Sequence, residues 1–458
     1  MGNAESVVAQ KRLARFRPDE RPVIEKVFDR LQEAGSARKV LTLDALKLSV
    51  RDAAPTSMTA RLFQSMRSAD TAVPAADSGG VTREQMLVFL ADVLRGTAEE
   101  RAPLVVAMAG VSEGSVVTVT QIREFLEDLI SAVVQCLIHS GQLQGWKPDR
   151  MQDSDRGVKL LAEQLCSELK CTDQQVCDIP CLENWLFRTS VPLYLEFLSM
   201  EALGICLPSR PPLVLLPPCQ DVPWRELRSI LDLPLLLFLA PQLPDTKGAP
   251  WRLLFSSRLH GESFTRLLRG CTCQGPSVLL IRDTDGYTFG GFASQSWDTR
   301  PQFQGDSRCF LFSVTPSLRL YTCTGYNQNY MYLNHGQQTM PNGLVSIPLL
   351  WGLSSMAPPQ SHTHPQEAPC IPCCVVFLAL PTTQSSSPSL LHLVAREWAV
   401  STTILACGWT VTMGRDTVGR GPAAPPMAAP SSLARRTSPW MPWRSGAWGN
   451  PQRTSRPR

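Results

Sequence analysis

Between residues 20 and 205 the apolar positions recur at the spacing of one helix face. Val23, Ile24, Val27, Phe28 and Leu31 form a single stripe, because side chains three and four residues apart share a face, and Gly35 supplies a stop. Thr82 and Gln85 have the spacing of a capping box ahead of Met86, Leu87, Leu90, Val93 and Leu94, with Gly96 closing the run. Thr118 and Gln121 repeat the device before Ile122, Phe125, Leu126, Leu129 and Ile130. Short β-prone pairs, Val40-Leu41 and Val116-Val117, precede two of the predicted helices. Helix, loop, short strand and helix in repetition is the rhythm of EF-hand pairs, so 20–205 is expected to be a helical EF-hand-like region. Calcium needs oxygen ligands, ideally with a bidentate Glu closing the loop. With Val81 as the apolar loop residue, the ligand positions fall on Pro74, Ala76, Ser78 and Gln85, and this scaffold is expected to hold no metal.

The pattern then changes twice. Residues 206–224 are rich in Pro and poor in charge, which predicts a linker. LPLLLFLA at 233–240 is too short to cross a membrane and is flanked by prolines, so a buried strand or helix is expected. From Trp251 to Thr339, short apolar runs (LLF, SVLLI, YTFGGFA, CFLFSV, LYTCTG, YMYLN) alternate with Gly and Asp turns. That density of short strands predicts an antiparallel β domain, with one helical piece, SFTRLLRG, after the first strand. The fold class is therefore α+β.

Charge narrows the functional classes. The 458 residues carry 44 basic and 40 acidic side chains, a net +4, but residues from Val345 onward carry nine Arg, no Lys and three acids. The first 344 residues are thus near neutral and lack the basic field that nucleic-acid binding requires. Fifteen cysteines are scattered without a framework spacing, and the opening residues are polar and basic, so the thiols are expected to be reduced and the chain cytosolic. The start, MGNAES, fits an N-myristoylation signal with Gly2 as the acylated residue and Ser6 in the required place. One acyl chain anchors only marginally; Lys11, Arg12, Arg15 and Arg17 are candidates for a second, electrostatic contact with an anionic membrane surface.

Four segments of the β region resemble the TLDc family: WRLLFSSRLHGESFTRLL (251–268), GPSVLLIRDTDGYTFGGFASQSW (275–297), FQGDSRCFLFS (303–313) and YTCTGYNQNYMYLNHGQQT (321–339). Their order and spacing match as well as their residues. The resemblance implies a TLDc domain over 225–344 built as a β-sandwich with flanking helices. Trp251, Gly290, Gly291, Trp297, Gly305 and Gly325 fall on its motif positions in structural roles. It also implies a protein that binds and regulates the V-type proton ATPase, with protection against oxidative stress and mTOR signalling at the cytosolic face of lysosomes among the associated roles. The family offers no agreed catalytic residues and no cofactor.

The residues themselves give little chemistry. His260 has no nucleophile in a recognisable motif beside it, and Asp283 and Asp285 flank a turn, where Asp commonly caps the backbone. Cys271-x-Cys273 is not the redox Cys-x-x-Cys, and His335 reads as a loop residue. An adaptor is the expected class. An antioxidant or hydrolase-type enzyme using Cys271, Cys273, Cys309 or Cys323 is the alternative.

After Leu344 the TLDc pattern stops. Sixteen of 38 prolines lie in 345–458, and a Trp-Val-Asp strand and a Glu-Val-Trp strand that the resemblance calls for are missing. EWAVSTTILACGWT (397–410), back-translated with plausible codons and read in a shifted frame, gives Gly-Val-Gly-Gly-Gln-His-Asn-Tyr-Phe-Gly-Leu-Trp-Val-Asp. TSPWMPWRSGAW (437–448) shifts the same way to a stretch containing Glu-Val-Trp. Val345 begins with the donor dinucleotide in every codon, so a retained intron followed by a frameshift is expected to have produced a disordered tail and a TLDc domain short of its last strands. His362, His364, Cys370 and Cys373, despite zinc-like spacing, are set aside on that ground.

Overall fold

The computed structural model describes residues 7–33, 40–69, 79–110, 116–171, 175–208, 210–243, 250–271, 273–283, 285–298, 300–323, 328–333, 374–379, 403–404 and 411–412. Among these residues, the first half holds ten α-helices: α1 (Val7–Leu13), α2 (Arg21–Glu33), α3 (Leu43–Val50), α4 (Thr56–Ser68), α5 (Arg83–Arg95), α6 (Ala98–Met108), α7 (Val119–His139), α8 (Ser154–Ser167), α9 (Ile179–Arg188) and α10 (Val191–Ala202). Local chemistry sets their ends. Both expected capping boxes form, Thr82 with Gln85 and Thr118 with Gln121, and a third joins Thr97 to Glu100. Each satisfies backbone N–H groups that a helix start leaves without an intrahelical partner. The predicted stripes face inward: Ile24, Val27, Phe28 and Leu31 of α2 are buried, as are Ile122, Phe125, Leu126, Leu129 and Ile130 of α7.

Short antiparallel contacts tie these helices into EF-hand-like pairs. Leu41 and Val81 exchange backbone hydrogen bonds at 2.8 Å, joining the α2–α3 and α4–α5 loops. In the second pair, β1 (Val117–Thr118) aligns with β2 (Val176–Cys177), joining the α6–α7 and α8–α9 loops. Gln85, one of the four positions weighed for calcium, is occupied as a cap and donates its side-chain N–H to the Arg67 carbonyl at 2.9 Å. Pro74, Ala76 and Ser78 lie outside the described residues.

The Pro-rich stretch 206–224 differs from the expected linker. Leu207, Leu215, Leu216 and Cys219 are buried, and Cys219–Gln220 forms β3, parallel to the start of β4 (Trp251–Ser256). Trp146 anchors it from the helical side, donating its indole N–H to the Pro217 carbonyl at 2.8 Å while its ring meets Trp251 edge to face at 5.9 Å. Proline here shapes an extended segment whose leucines fill the core. Residues 233–239 form the buried helix α11. No helix among the described residues is long and apolar enough to cross a membrane.

After β4 come the short helix α12 (Ser257–His260), α13 (Phe264–Cys271), β5 (Ser277–Arg282), β6 (Thr288–Ala293), β7 (Arg300–Gln304), β8 (Phe310–Thr315), β9 (Arg319–Thr322) and β10 (Met331–Leu333). With β11 (Cys374–Ala379), a seven-stranded sheet runs in the order β3-β4-β11-β5-β6-β8-β9, and β7 pairs with β10 in a second sheet. Successive side chains in a strand point to opposite faces. Val278 and Leu280 of β5 accordingly join the large core shared with the helical half, whereas Leu279 and Ile281 join a second core with Met331, Leu333, Cys271 and Trp297.

One tail segment departs from the expected disorder. Cys374–Ala379 is β11, antiparallel to both β4 and β5 and seated between them. CVVFLA is a run of apolar residues including two β-branched valines, which suits a strand with neighbours on both sides. Thr403–Ile404 and Val411–Thr412 pair with each other.

Candidate functional site

The N-terminal helix is held by a clamp of charges. α5 and α6 are joined through Gly96 and Thr97, and this tight connection brings Asp92 near Glu100. Arg12, near the end of α1, and Arg15, in the turn that follows it, both reach that spot. Arg12 Nε lies 2.7 Å from Asp92 Oδ1, and Arg12 also pairs with Glu100. The Arg15 guanidinium grips both Glu100 oxygens, at 2.6 and 2.5 Å. The hydrogen bonds from Arg15 hold the Glu100 carboxyl down at about 2, whereas burial pushes Asp92 up to about 6 in spite of Arg12. The two acids therefore differ in role: Glu100 is the preferred anion of the pair, and Asp92 is an acid whose desolvation outweighs its partner.

This arrangement corrects the expectation that Lys11, Arg12, Arg15 and Arg17 form one lipid-facing cluster. Arg12 and Arg15 face protein carboxylates, because Leu13 and Phe16 beside them bury into the core and fix the orientation of the segment. Lys11 and Arg17 are exposed. Gly2 lies outside the described residues. The signal for the clamp was present in the sequence as Thr97-x-x-Glu100, a third capping box, but its arginine partners are 88 and 85 residues away.

Elsewhere in the helical half, a cleft of about 390 Å³ opens between the ends of α2, α3, α7 and α10. Arg30, Arg51, Asp52, His139 and Glu201 give it both signs of charge, and Leu48, about half exposed, supplies an apolar wall. Arg30 also donates to the carbonyls of Leu203 and Gly204, which pins the floor. Such a lining suits a polar segment of a protein partner better than an apolar ligand. Its members are spread along the chain and carry no common motif.

In the TLDc region the motif residues act as architecture. Trp251 and Trp297 are buried, and Trp297 donates its indole N–H to Ser277 Oγ at 2.8 Å. Gly290 sits in β6 where a Cβ would overlap the Leu279 carbonyl oxygen and the Phe312 ring. Gly291 pairs with Leu279 on one side and Leu311 on the other. Gly305 has φ +83°, a left-handed conformation that favours glycine, and packs against Met331 and Cys309. Gly325 and His335 lie outside the described residues, as do His362, His364, Cys370 and Cys373.

Of the side chains weighed for catalysis, His260 and Asp283 are engaged in structure, and Asp285 is exposed. His260 Nδ1 accepts the Ser256 backbone N–H at 3.0 Å and its ring stacks on Phe255. Asp283 caps its turn, accepting the Tyr287 N–H at 2.8 Å. Cys271 is buried and its thiol pushed well above the ordinary range by desolvation; Cys273 is exposed; Cys323 donates to the Cys309 carbonyl at 3.0 Å. Elsewhere, Cys171 and Cys177 are bonded as a disulfide, contrary to the expectation of reduced thiols throughout. The return of the chain into β2 brings their Cα atoms to 5.2 Å, within bridging range.

Comparison with known proteins matches residues 225–345 to the TLDc domain. The chain is 62% identical over 351 residues to "MTOR-associated protein MEAK7" of Danio rerio, covering 75% of this chain and 78% of that protein. It is 38% identical over 360 residues to the Homo sapiens protein of the same name, covering 75% and 79%. "Oxidation resistance protein 1" of Bos taurus is 32% identical over 120 residues, 24% of this chain and 14% of that one.

Proposed function

We infer that this chain, which belongs to the MEAK7 family of TLDc-domain proteins, works as a non-catalytic adaptor linked to mTOR signalling. The observation that carries the reading is that likeness at this level runs across three quarters of the chain, the helical half included, and the helical half and the TLDc sheet share one core. A shared core holds the polar cleft and the outer surface of the sheet in fixed relation, as a scaffold for two partners requires. The structural contacts of His260 and Asp283, to the Ser256 and Tyr287 backbone N–H groups, are in keeping with the same reading.

Within that reading, the TLDc half binds the V-type proton ATPase and shifts it between states by binding one better than another. A myristoyl group on Gly2 places the protein on the cytosolic face of lysosomes, with Lys11 and Arg17 adding about 1 kcal/mol each on anionic lipid. The test is capture of the pump and of mTOR from lysosomal extracts by this chain, beside a version with the reading frame restored after Leu344. Capture of either partner supports the adaptor. Failure of both versions on both partners refutes it. Sequencing the transcript decides the tail: a message without intronic sequence at Val345 removes the retained-intron explanation.

The likeness to an oxidation resistance protein favours one second reading, a thiol peroxidase in the TLDc domain. Peroxide consumption by the chain, lost when Cys271, Cys273, Cys309 and Cys323 are together changed to Ser, would establish it. The buried Cys271 thiol argues against it, because the thiolate is the reactive form.

A further inference from the structure

The α8–α9 connection occupies the place where an EF-hand holds its cation, and here it presents sulfur instead of oxygen. Cys171 leads into the loop, Cys177 ends β2 with its backbone fixed opposite Val117, and Cys181 lies in the first turn of α9. The Cys181 N–H is held by Asp178 Oδ1 at 2.9 Å, and its thiol donates to the Lys170 carbonyl at 3.4 Å. The three Sγ atoms all lie within 4.8 Å of one another. Among the described residues this is the sole group of three or more His, Cys, Asp or Glu side chains brought together closely enough to share a metal ion.

A disulfide needs two sulfurs; the third within reach calls for another explanation. Zinc bonded to thiolates at about 2.3 Å in a tetrahedron places its sulfurs roughly 3.8 Å apart. Reducing the Cys171–Cys177 bond lets those two sulfurs separate to about van der Waals contact, which is close to that spacing. Cys181 then needs a movement of no more than about 1 Å. Soft thiolates select a zinc-type ion over calcium.

We propose that the reduced chain binds one zinc-type divalent cation through Cys171, Cys177 and Cys181, with solvent as the fourth ligand, and that the Cys171–Cys177 disulfide is the metal-released form. The release is a two-electron oxidation by a peroxide. Each of the two thiolates gives up one electron as the S–S bond forms, the peroxide O–O bond breaks, and its oxygens leave as two waters after taking up two protons. The cation, left with one thiolate, departs to solvent.

The test uses the full chain, reduced and stripped of metal, titrated with zinc against a chromogenic chelator. One tight zinc per chain is expected, weakened roughly tenfold or more by Cys181→Ser and by Cys171→Ser with Cys177→Ser. It is expected to be retained when the exposed Cys206 and Cys273 are changed to Ser as a control. Cobalt in place of zinc is expected to show thiolate charge-transfer bands. Wild-type protein serves a second arm that needs no variant: hydrogen peroxide is expected to release the zinc while Cys171 and Cys177 become resistant to alkylation and Cys181 becomes reactive. Absence of stoichiometric zinc in the reduced wild type, equal affinity in Cys181→Ser, loss in the control variant, or zinc retained after the disulfide forms would each overturn the proposal.

Discussion

Replacing Glu100 by Gln isolates the charge of the N-terminal clamp from its capping role. In wild type the Thr97 N–H donates to Glu100 Oε2 at 2.9 Å. Gln85 and Gln121 accept the corresponding N–H groups of Thr82 and Thr118 at 2.9 and 3.0 Å, so glutamine performs this cap twice in the same chain. Glu100→Gln therefore keeps the helix start and removes only the anion gripped by Arg12 and Arg15. Hydrogen bonds to charged groups contribute about 1.5–3 kcal/mol each. Asp92 remains 2.7 Å from Arg12 and 3.7 Å from Arg15 and takes over part of the pairing. The site is also partly open to water, so the net loss is expected to be about 1–2 kcal/mol. Urea unfolding followed by tryptophan fluorescence reads it. The Glu100 carboxyl is depressed in the fold, so its contribution is present above about pH 4.5 and disappears as pH falls towards about 2. The gap between wild type and Glu100→Gln should close over that range. The loosened α1 should also be cut faster by trypsin at Lys11, and binding to anionic vesicles should rise as Arg12 and Arg15 become available. Glu100→Gln within about 0.3 kcal/mol of wild type at pH 7, or as harmful as Glu100→Ala, would refute the division of labour between charge and cap.

Asp92→Asn should behave with the opposite sign. Its folded carboxyl is raised to about 6, so its contribution is complete below about pH 4 and is lost as pH rises through 6; urea midpoints from pH 4 to 7 should move in favour of Asn. Gly290→Ala drives a methyl into the Leu279 carbonyl and the Phe312 ring, and is expected to cost about 1–3 kcal/mol, read as a lower denaturant midpoint. Val376→Pro removes an N–H from a strand paired on both sides; a loss of the order of 3 kcal/mol, with aggregation from the opened β4 and β5 edges, is expected in light scattering and soluble yield. An unchanged yield would mean that β11 contributes nothing to the sheet.

What the sequence determined by itself was everything set within about one turn of chain. The stripes of α2 and α7, the Thr82–Gln85 and Thr118–Gln121 boxes and the short strands of 251–339 were legible, because periodicity and capping act between near neighbours. The TLDc motif glycines were legible as a pattern, but only β6 lying between β5 and β8 gives Gly290 its reason: there is no room for a Cβ. The inward turn of Arg12 and Arg15 was not legible, since lone arginines near a terminus look the same whether lipid or an acid 85 residues away receives them. Leucines spaced by prolines in 206–224 read as a linker until β4 offered an edge and Trp146 an N–H donor for the Pro217 carbonyl. The same holds for Cys171, Cys177 and Cys181, whose spacing matches no motif and whose meeting is made by β1 pairing with β2. Long-range contacts depend on which surfaces the packed helices and sheet leave facing each other, and that is decided only when the whole core closes.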